Sequence, residues 1–369
     1  MSDLRLMAGA AAKNSLAQNG LRGQDFNWLA GASGGPKWFV LYGLDRYLAG
    51  EFFGPREGVP LRMVGSSAGA WRLACYAAPD PVASLQALAT HYSSQTYSSR
   101  PDRHEISGEA RKMLNQVFAA NDMSIEKAAA AIASNQHRRL YVITDRARRL
   151  TRPENKLMLN IGLTLVALGN LGSRRSLRWF FERYVFHNAC DRGADELVLS
   201  DMPTRYVPLS AQNVHSALMA SGSIPLVMEA VTQVEGAPGA VFRDGGMTDY
   251  HLDLPYEKSN GLVLYPHFYA SVVPGWFDKL ARWRRANPAH FDNVVLVTPT
   301  KQFVDRLPYG KIPDRDDFRR LSDAQRLKYW QTVLSESERL ADSFRELVAM
   351  GPAVVDHIHE FSNSRTKHV

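Results

Sequence analysis

The chain has 369 residues, 45% of them hydrophobic and 22% charged, which is the composition of a globular protein with ample material for a core. Its formal charge of +7, from 44 basic and 37 acidic residues, favours anionic partners such as phospholipid headgroups or nucleic acid. Nucleic acid is disfavoured, because the chain has no zinc-finger pattern, RNP-type strand or clear recognition helix, and its basic residues are spread along its length.

The cysteines and the N-terminus indicate the compartment in which the protein works. Cys75 and Cys190 are too few for a disulfide framework, fit a reducing compartment and lack the spacing of zinc ligands. The first residues, MSDLRLMAGAAAKNSL, offer only a short apolar patch interrupted by charged side chains, which is no convincing signal peptide. We therefore expect a cytoplasmic protein, at most peripheral to the inner face of the membrane.

Apolar segments of strand length alternate with segments that favour helices. The predicted strands are NWLAGA (27–32), LRMVGS (61–66), RRLYVITD (138–145), RYVFHNA (183–189), YVPLS (206–210), GAVFRDGG (239–246), GLVLYP (261–266) and DNVVLVTPT (292–300). The predicted helices cover 36–53, 68–78, 174–182, 215–223 and 322–350. Strands that are apolar on both faces and alternate with helices predict an α/β fold, with a mostly parallel sheet covered by helices on both faces.

The domain organisation follows from the absence of a long Pro/Gly/Ser linker. We predict one α/β domain over residues 1–369, with a core at about 25–300 and helical insertions chiefly at 80–135 and 154–182. The remaining residues, about 301–369, are predicted to form a helical C-terminal extension.

The stretch LRMVGSSAGAW (61–71) places Ser67 at the centre of a GxSxG frame. An apolar strand ends at Gly65 and a helix begins near Ala68, which is the context that makes this motif meaningful for a nucleophilic serine. A nucleophile in strained backbone needs neighbours without bulky side chains, and the helix start directs N–H groups toward negative charge. The other interpretation is a serine that merely caps a helix after a βα loop.

A second small-residue loop, LAGASGGPKWF (29–39), also follows a predicted strand. The N–H groups of Gly34 and Gly35 are free of Cβ shielding and are suited to stabilise an oxyanion, with Lys37 adding a positive charge beside them. An ordinary glycine turn or a phosphate-binding loop remains the alternative. A nucleotide loop is excluded, because neither GxxxxGK[ST] nor GxGxxG occurs here.

The third element is VFRDGGMTDYHLDLP (241–255), in which Asp244 follows a strand and precedes two glycines. A carboxylate presented in a sharp turn serves as the base for a serine nucleophile where its pKa and geometry suit. Asp-Gly is also a frequent plain turn signal.

Together the three elements resemble the patatin-like phospholipases, which carry a glycine-rich oxyanion loop, a GxSxG serine and a DGG or DGA aspartate. Residues 26–72 and 239–250 match best, and the likeness covers roughly 25–265. The resemblance implies a lipid acyl hydrolase of phospholipase A or carboxylesterase type, acting on lipid or other acyl esters through a Ser–Asp dyad without histidine. The residue roles it implies are Ser67 as nucleophile, Asp244 as base, Gly34 and Gly35 as oxyanion donors and Lys37 as the basic loop residue. No metal or organic cofactor is expected.

Two positions depart from the family pattern. Ser33 stands where the family has the first glycine of its run, and Trp38 stands where a glycine often closes the motif. We expect Trp38 to narrow the mouth of the site. The departures also leave open a non-catalytic relative that binds lipid or a protein partner.

A Ser-His-Asp esterase is a second alternative, since that fold places its histidine last in sequence. His357 and His359 lie in about the right order, and the orienting acid would be Asp249, Asp253 or Asp356. The DGG turn has no explanation in such an enzyme, and the sequence therefore favours the dyad.

Two segments suggest contact with lipid. LMLNIGLTLVALGNL (157–171) is shorter than the ~20 apolar residues that span a bilayer. It is either a buried helix, or a helix that lies at the membrane interface or lines the acyl-chain site. GWFDKLARWRRANP (275–288) combines aromatic and basic residues as helices on anionic bilayers do, unless its tryptophans pack inward. The residues concerned are Arg174, Arg175 and Arg178 after the first segment, and Trp276, Arg282, Trp283, Arg284 and Arg285 in the second.

Overall fold

The structure, a computed structural model, describes residues 3–56, 58–188, 198–281 and 283–361. Its strands are β1 (Leu4–Ala8), β2 (Phe26–Gly31), β3 (Leu61–Ser66), β4 (Arg138–Ala147), β5 (Phe181–Asn188), β6 (Thr204–Leu209), β7 (Phe242–Asp244), β8 (Leu262–Pro266), β9 (Val294–Pro299) and β10 (Ile358–Glu360). Its α-helices are α1 (Ala10–Asn19), α2 (Tyr42–Tyr47), α3 (Ala68–Ala77), α4 (Pro81–Ser93), α5 (Arg103–Ala119), α6 (Ile125–Ser134), α7 (Lys156–Gly172), α8 (Val214–Ser221), α9 (Lys301–Arg306), α10 (Asp317–Arg320), α11 (Asp323–Glu336) and α12 (Glu338–Ala349). Cys190, Arg282 and the end of the C-terminal extension lie outside the described residues.

The strands form one mixed, mostly parallel sheet in the order β10-β1-β9-β8-β2-β3-β4-β5-β6, with β7 paired to β4. The central strands β9, β8, β2, β3 and β4 run parallel to one another. Antiparallel pairs occur at β1–β9, β4–β5 and β4–β7. The predicted α/β class with a mostly parallel sheet is confirmed, and its central strands are buried on both faces, as their continuous apolar sequences indicate.

Both ends of the chain add strands that the sequence did not predict. β1 pairs antiparallel with β9 and parallel with β10, with Leu6 opposite Ile358. The C-terminal extension is therefore not purely helical, because β10 forms the edge of the sheet. A three-residue strand carries too little alternation to be predicted from sequence.

Three predicted helices differ in the structure. Residues 36–53 form a 3-10 turn that begins at Gly35, the short helix α2 and a π turn. The 3-10 turn contains the aromatic and β-branched residues 38–40, which have a low preference for an α-helix. Residues 174–179 form a 3-10 turn, after which β5 begins. The predicted helix 322–350 is split at Ser337, whose hydroxyl accepts a hydrogen bond from the Gly43 N–H at 2.8 Å.

Strand β4 is long enough to pair with two strands along one edge. Its residues 138–143 pair with β3, and its next residues, 144–146, pair antiparallel with β7. Ser66 lies opposite Ile143 and Asp244 lies opposite Thr144. The carboxyl ends of β3 and β7 therefore meet head to head, and the residues that follow each strand are brought together.

Helix α3 approaches strand β2 so closely that no side chain fits between them. A Cβ placed on Gly69 would lie 1.9 Å from the Gly31 carbonyl oxygen and 2.3 Å from its carbonyl carbon. Because both contacts are with backbone, neither is relieved by a side-chain rotation. The second glycine of GxSxG is thus required by packing, and it sets the distance between the serine turn and the loop after β2.

No helix in the described part of the chain is both long enough and apolar enough to cross a membrane.

We expect Gly69→Ala to lower the free energy of unfolding by about 1–3 kcal/mol or more, since overpacking of a rigid contact carries this cost. Gly108→Ala is the matched control, because Gly108 lies within α5 with no atom near its Cβ position. An alanine there is expected to stabilise the helix by about 0.5–1 kcal/mol. Chemical denaturation measures both values, and equal stability of the two variants would contradict the packing argument.

Candidate active site

Ser67 occupies a sharp turn between β3 and α3. Its backbone has φ 53° and ψ −131°, a conformation that costs a non-glycine residue free energy and is held only by its surroundings. Its N–H donates to Ser221 Oγ at 2.8 Å, and that hydroxyl donates in turn to the Ile143 carbonyl at 2.7 Å. The turn is therefore fastened to β4 through the end of α8, and it presents the Ser67 hydroxyl beyond the sheet.

The Ser67 hydroxyl donates a hydrogen bond to Asp244 Oδ2 at 2.7 Å. The other carboxylate oxygen, Oδ1, accepts the Gly246 N–H at 2.7 Å, and the Asp244 N–H donates to the Ser223 carbonyl. Asp244 is thus held at both its backbone and its side chain. A Cβ on the next residue, Gly245, would lie 2.1 Å from the Ile143 carbonyl oxygen, so this tight turn against β4 requires glycine.

Burial raises the pKa of Asp244 above its ordinary value of 3.8, and the hydrogen bonds from Ser67 and Gly246 offset part of this rise. Arg315 and Lys279 also lower it through their charge. A carboxylate with a raised pKa is a stronger proton acceptor than an ordinary aspartate. Only 8% of Ser67 and 6% of Asp244 is exposed, so the pair lies in a nearly dry environment.

The loop after β2 supplies backbone N–H groups beside this pair. Gly34 and Gly35 begin a 3-10 turn with Pro36 in its first turn, and their N–H groups have no acceptor within the described residues. The φ of Gly35 is 58°, which favours glycine. Free N–H groups at the start of such a turn are available to an anion.

Ser33 and Ser66 connect the three segments that form the site. Ser33 Oγ lies 2.7 Å from Ser66 Oγ, and Ser66 Oγ donates to the Asp249 carbonyl at 2.7 Å. The Ser33 N–H donates to the Tyr250 carbonyl at 2.9 Å. The loop after β2, the serine turn and the chain beyond Asp244 are therefore linked directly. The sequence alone did not reveal this role, since Ser33 was interpreted only as a departure from the family pattern and Ser66 only as one of the residues without a bulky side chain next to Ser67.

A buried ion pair supports the chain just beyond Asp244. Arg183 donates to both oxygens of Asp249 at 2.7 and 2.8 Å, and both side chains are almost completely buried. The Thr248 N–H donates to Asp145 Oδ2 at 3.0 Å. Burial raises the pKa of Asp145, and the nearby Asp249 charge raises it further. Asp249 thus holds the loop in place and is not oriented toward a histidine.

The two remaining residues of the glycine loop have different surroundings. Lys37 is half-buried, and burial lowers its pKa. Trp38 is buried and its Nε1 donates to Asp45 Oδ2 at 2.6 Å. The expectation that Trp38 narrows the mouth of the site is wrong, because its ring packs into the core to reach this buried carboxylate.

The histidines of the alternative triad lie far from Ser67. His359 is in β10, five strand spacings from β3, or roughly 24 Å at about 4.8 Å per strand. His357 precedes it in the same segment. Of the candidate acids, Asp253 pairs with His290 at 2.8 Å and Asp356 is next to His357 in sequence. The structure does not bring His357 or His359 to Ser67.

Helix α7 confirms the predicted helix at 157–171. It packs against the chain that follows Asp244. Its Val166 belongs to a small apolar cluster with Met247 and Phe277. The opposite face is exposed, with apolar side chains at Leu157, Met158, Ile161, Leu165 and Leu168. A fully buried helix, one of the two interpretations left open, is therefore wrong.

The described residues of 275–288 form a 3-10 turn at Trp276–Lys279 and the start of a second one at Pro288, rather than one longer helix. Trp283 is 65% exposed, so it does not pack inward. Arg284 donates to Asp278 Oδ1 at 2.6 Å and to the Asn170 carbonyl at 2.8 Å. Arg174 binds the other Asp278 oxygen at 3.0 Å. These two arginines fasten the turn to α7 and are not part of a solvated face.

No group of three or more His, Cys, Asp or Glu side chains among the described residues is arranged to hold a metal ion. Comparisons of the chain with protein-family models, with curated proteins and with solved structures found no match.

We expect Asp244→Asn to be at least as stable as the parent at pH 7. The folded-state pKa of Asp244 is raised, so the ionised carboxylate costs the folded protein free energy at neutral pH, and asparagine removes that cost. The relative advantage of the variant is expected to fade as the pH falls to the ordinary aspartate value of 3.8. Denaturation at several pH values measures this.

Asp249→Asn is the matched control in the same loop. It removes the negative charge that Arg183 binds at two points, while Asp201 still binds the same guanidinium group at 2.7 Å. We therefore expect a loss of about 1–3 kcal/mol. A large loss in Asp244→Asn at pH 7 would instead make Asp244 a structural residue.

Proposed function

We propose that the protein is a serine acyl hydrolase of patatin-like fold that cleaves lipid or other carboxylic esters through a Ser67–Asp244 dyad. The observation that carries the proposal is the 2.7 Å hydrogen bond from the strained Ser67 to a buried carboxylate. A structural serine in a plain turn needs neither the unfavourable backbone nor the buried acid. Their combination is typical of an activated nucleophile.

In the first step, Ser67 Oγ attacks the ester carbonyl carbon while its proton passes to Asp244 Oδ2. The carbonyl π bond opens and its oxygen becomes an oxyanion, which the N–H groups of Gly34 and Gly35 stabilise. When the tetrahedral intermediate collapses, the bond to the alcohol oxygen breaks and that oxygen takes the proton from Asp244. The products are the free alcohol and an acyl ester on Ser67.

In the second step, a water molecule attacks the acyl carbonyl and gives its proton to Asp244. A second tetrahedral intermediate forms at the same N–H groups and then breaks at the bond to Ser67 Oγ. The proton returns from Asp244 to the serine, and the carboxylic acid leaves. Asp244 thus acts as base and acid in turn, which requires no histidine.

The Ser33–Ser66–Asp249 link favours an enzyme over a non-catalytic relative. It fixes the relative positions of the glycine loop, the turn that carries Ser67 and the chain after Asp244. Such preorganisation lowers the barrier of a reaction, whereas simple binding does not require it. The four strands that lie between β3 and β10 in the sheet argue against the Ser-His-Asp alternative.

We expect Ser67→Ala and Asp244→Ala each to reduce kcat for p-nitrophenyl ester hydrolysis by roughly a thousandfold or more, as loss of a nucleophile or its base does. His359→Ala is the control and is expected to retain the parent rate, because β10 lies at the far edge of the sheet. Steady-state kinetics across esters of rising chain length provide the measurement. Activity that survives in Asp244→Ala but disappears in His359→Ala would contradict the dyad.

The proposed lipid substrate also requires a way to reach a membrane. Helix α7 carries an exposed apolar stripe and packs against the turn Trp276–Lys279. Trp276 in this turn, and Leu280 and Trp283 after it, are also exposed. The stripe consists of Leu157, Met158, Ile161, Leu165 and Leu168. Exposed basic residues flank the helix: Arg152 and Lys156 precede the stripe, and Arg175 and Arg178 follow it. An apolar face with a basic rim fits the surface of an anionic bilayer. We propose that this face, the α7 face, docks transiently on membranes.

We expect Leu157→Gln combined with Leu168→Gln to reduce sedimentation with phosphatidylserine vesicles several-fold, because both apolar side chains are largely exposed and available for contact with lipid. Val59→Gln, which changes an exposed valine elsewhere, is the control. Arg284 is unsuitable for such a test, since its loss would break the bond to Asp278. Binding that is independent of phosphatidylserine content and unchanged in the double variant would contradict the proposed docking.

A further inference from the structure

Three basic side chains near Asp244 have no carboxylate partner. Lys37, Lys279 and Arg315 form no ion pair within 4.0 Å, although most arginines described in the structure do. No carboxylate of any described residue lies within this distance of the three cations. Lys37 and Arg315 are half-buried and Lys279 is exposed. Bringing such like charges together without a counter-ion is unfavourable unless something else supplies negative charge.

The nearest acids outside the dyad are already committed. Asp317 binds Lys311 Nζ at 2.6 Å and accepts the Trp330 Nε1–H at 3.0 Å. Asp314 lies 3.6 Å from the same lysine and accepts the Asp316 N–H at 2.8 Å. Neither acid lies within ion-pair distance of the three cations, which are therefore available to a ligand.

All three cations converge on the loop that would hold the oxyanion. Arg315 packs on the glycine loop, where its Cγ lies 3.4 Å from the Cβ position of Gly35. Lys279 places its ammonium group 3.8 Å from the centre of the Tyr250 ring, and the Tyr250 carbonyl accepts the Ser33 N–H. Lys37 lies in the same loop, two residues after Gly35.

The electrostatics of the cluster agree with this placement. Lys279 is an exposed residue, yet desolvation of its ammonium group lowers its pKa to about 7, with the positive charges of Lys37 and Arg315 acting in the same direction. Asp244 and Asp314 counter this only in part. An anion bound among the three cations would relieve their mutual repulsion.

We propose that Lys37, Lys279 and Arg315 form an anion subsite beside Ser67, which selects esters that carry a phosphate group near the scissile bond. Several cations whose charges interact beside one loop suit a multiply charged group, which arginine and lysine bind with strong, charge-assisted hydrogen bonds. Lys279 and Arg315 lie outside residues 25–265, the part of the sequence that resembles the patatin-like family. The subsite rests on the proposed function for its role in selecting substrates, but its binding of phosphate does not require catalysis.

The test compares dihexanoylphosphatidate with dihexanoylglycerol, which present the same hexanoyl esters and differ only in the phosphate. We expect the parent protein to prefer the phosphatidate by about tenfold or more in kcat/KM, and Lys279→Met or Arg315→Gln each to reduce that preference by about tenfold. Both substitutions also remove a charge that lowers the pKa of Asp244. That effect acts on both esters, and the ratio of the two rates cancels it.

Matched controls are Lys301→Met and Arg319→Gln, which change exposed basic residues that pair with Asp305 and Asp316. Both controls are expected to keep the parent preference. Calorimetry with sn-glycerol 3-phosphate and the Ser67→Ala protein supplies a readout without turnover, and we expect its affinity to fall about tenfold in the combined Ser67→Ala, Arg315→Gln protein. Long-chain phosphatidate in vesicles, compared with the monomeric dihexanoyl ester, distinguishes a membrane lipid from a soluble phosphate ester.

The possible outcomes separate the two proposals. Hydrolysis of both esters at equal rates, with no binding of glycerol phosphate, would overturn the anion subsite and leave the acyl hydrolase standing. Absence of hydrolysis with retained, Arg315-dependent phosphate binding would overturn the acyl hydrolase and leave the subsite. A preference that survives both Lys279→Met and Arg315→Gln would assign phosphate recognition to other residues and contradict the proposal.

Discussion

The head-to-head meeting of β3 and β7 along one edge of β4 is the constraint on which the site depends. Ser66 and Asp244 lie opposite consecutive residues of β4, so the serine turn and the aspartate are brought together by backbone hydrogen bonds of the sheet. Their side-chain hydrogen bond at 2.7 Å is a consequence of that register. A shift of β7 by one residue would turn the Asp244 side chain to the opposite face of the sheet.

The surrounding loops preserve this register through direct polar contacts. Ser221 and Ser223, at the end of α8, bind the N–H groups of Ser67 and Asp244. Ser33 and Ser66 connect the glycine loop to the chain beyond the aspartate. The strained backbone of Ser67 is therefore held by several contacts that reinforce each other, which is how strain persists at functional sites.

Much of this site could be predicted from sequence, because tight turns demand small residues. Gly69 and Gly245 stand where a Cβ would meet backbone, and such positions leave a visible mark in the sequence. The parallel order of the central strands was likewise predictable from their continuous apolar runs. The pairing of β7 with β4 was not, since a three-residue strand carries no readable register.

Other features escaped sequence reasoning because they depend on distant partners. Trp38 is drawn into the core by Asp45, and Ser66 acquires its role from Asp249, which is 183 residues away in sequence. β10 joins the sheet only because β1 presents an open edge to it. The cations Lys279 and Arg315 lie far along the chain from the motifs they approach. Nothing local in the sequence distinguishes any of these residues from ordinary surface or core positions.

The most direct test of the central claim is reaction of the folded protein with a fluorophosphonate, followed by mass spectrometry of its peptides. We predict a single phosphonyl adduct on Ser67, which forms much more slowly in Asp244→Asn because the serine has lost its base. No adduct, or an adduct on another serine while Ser67 remains unmodified, would contradict the account.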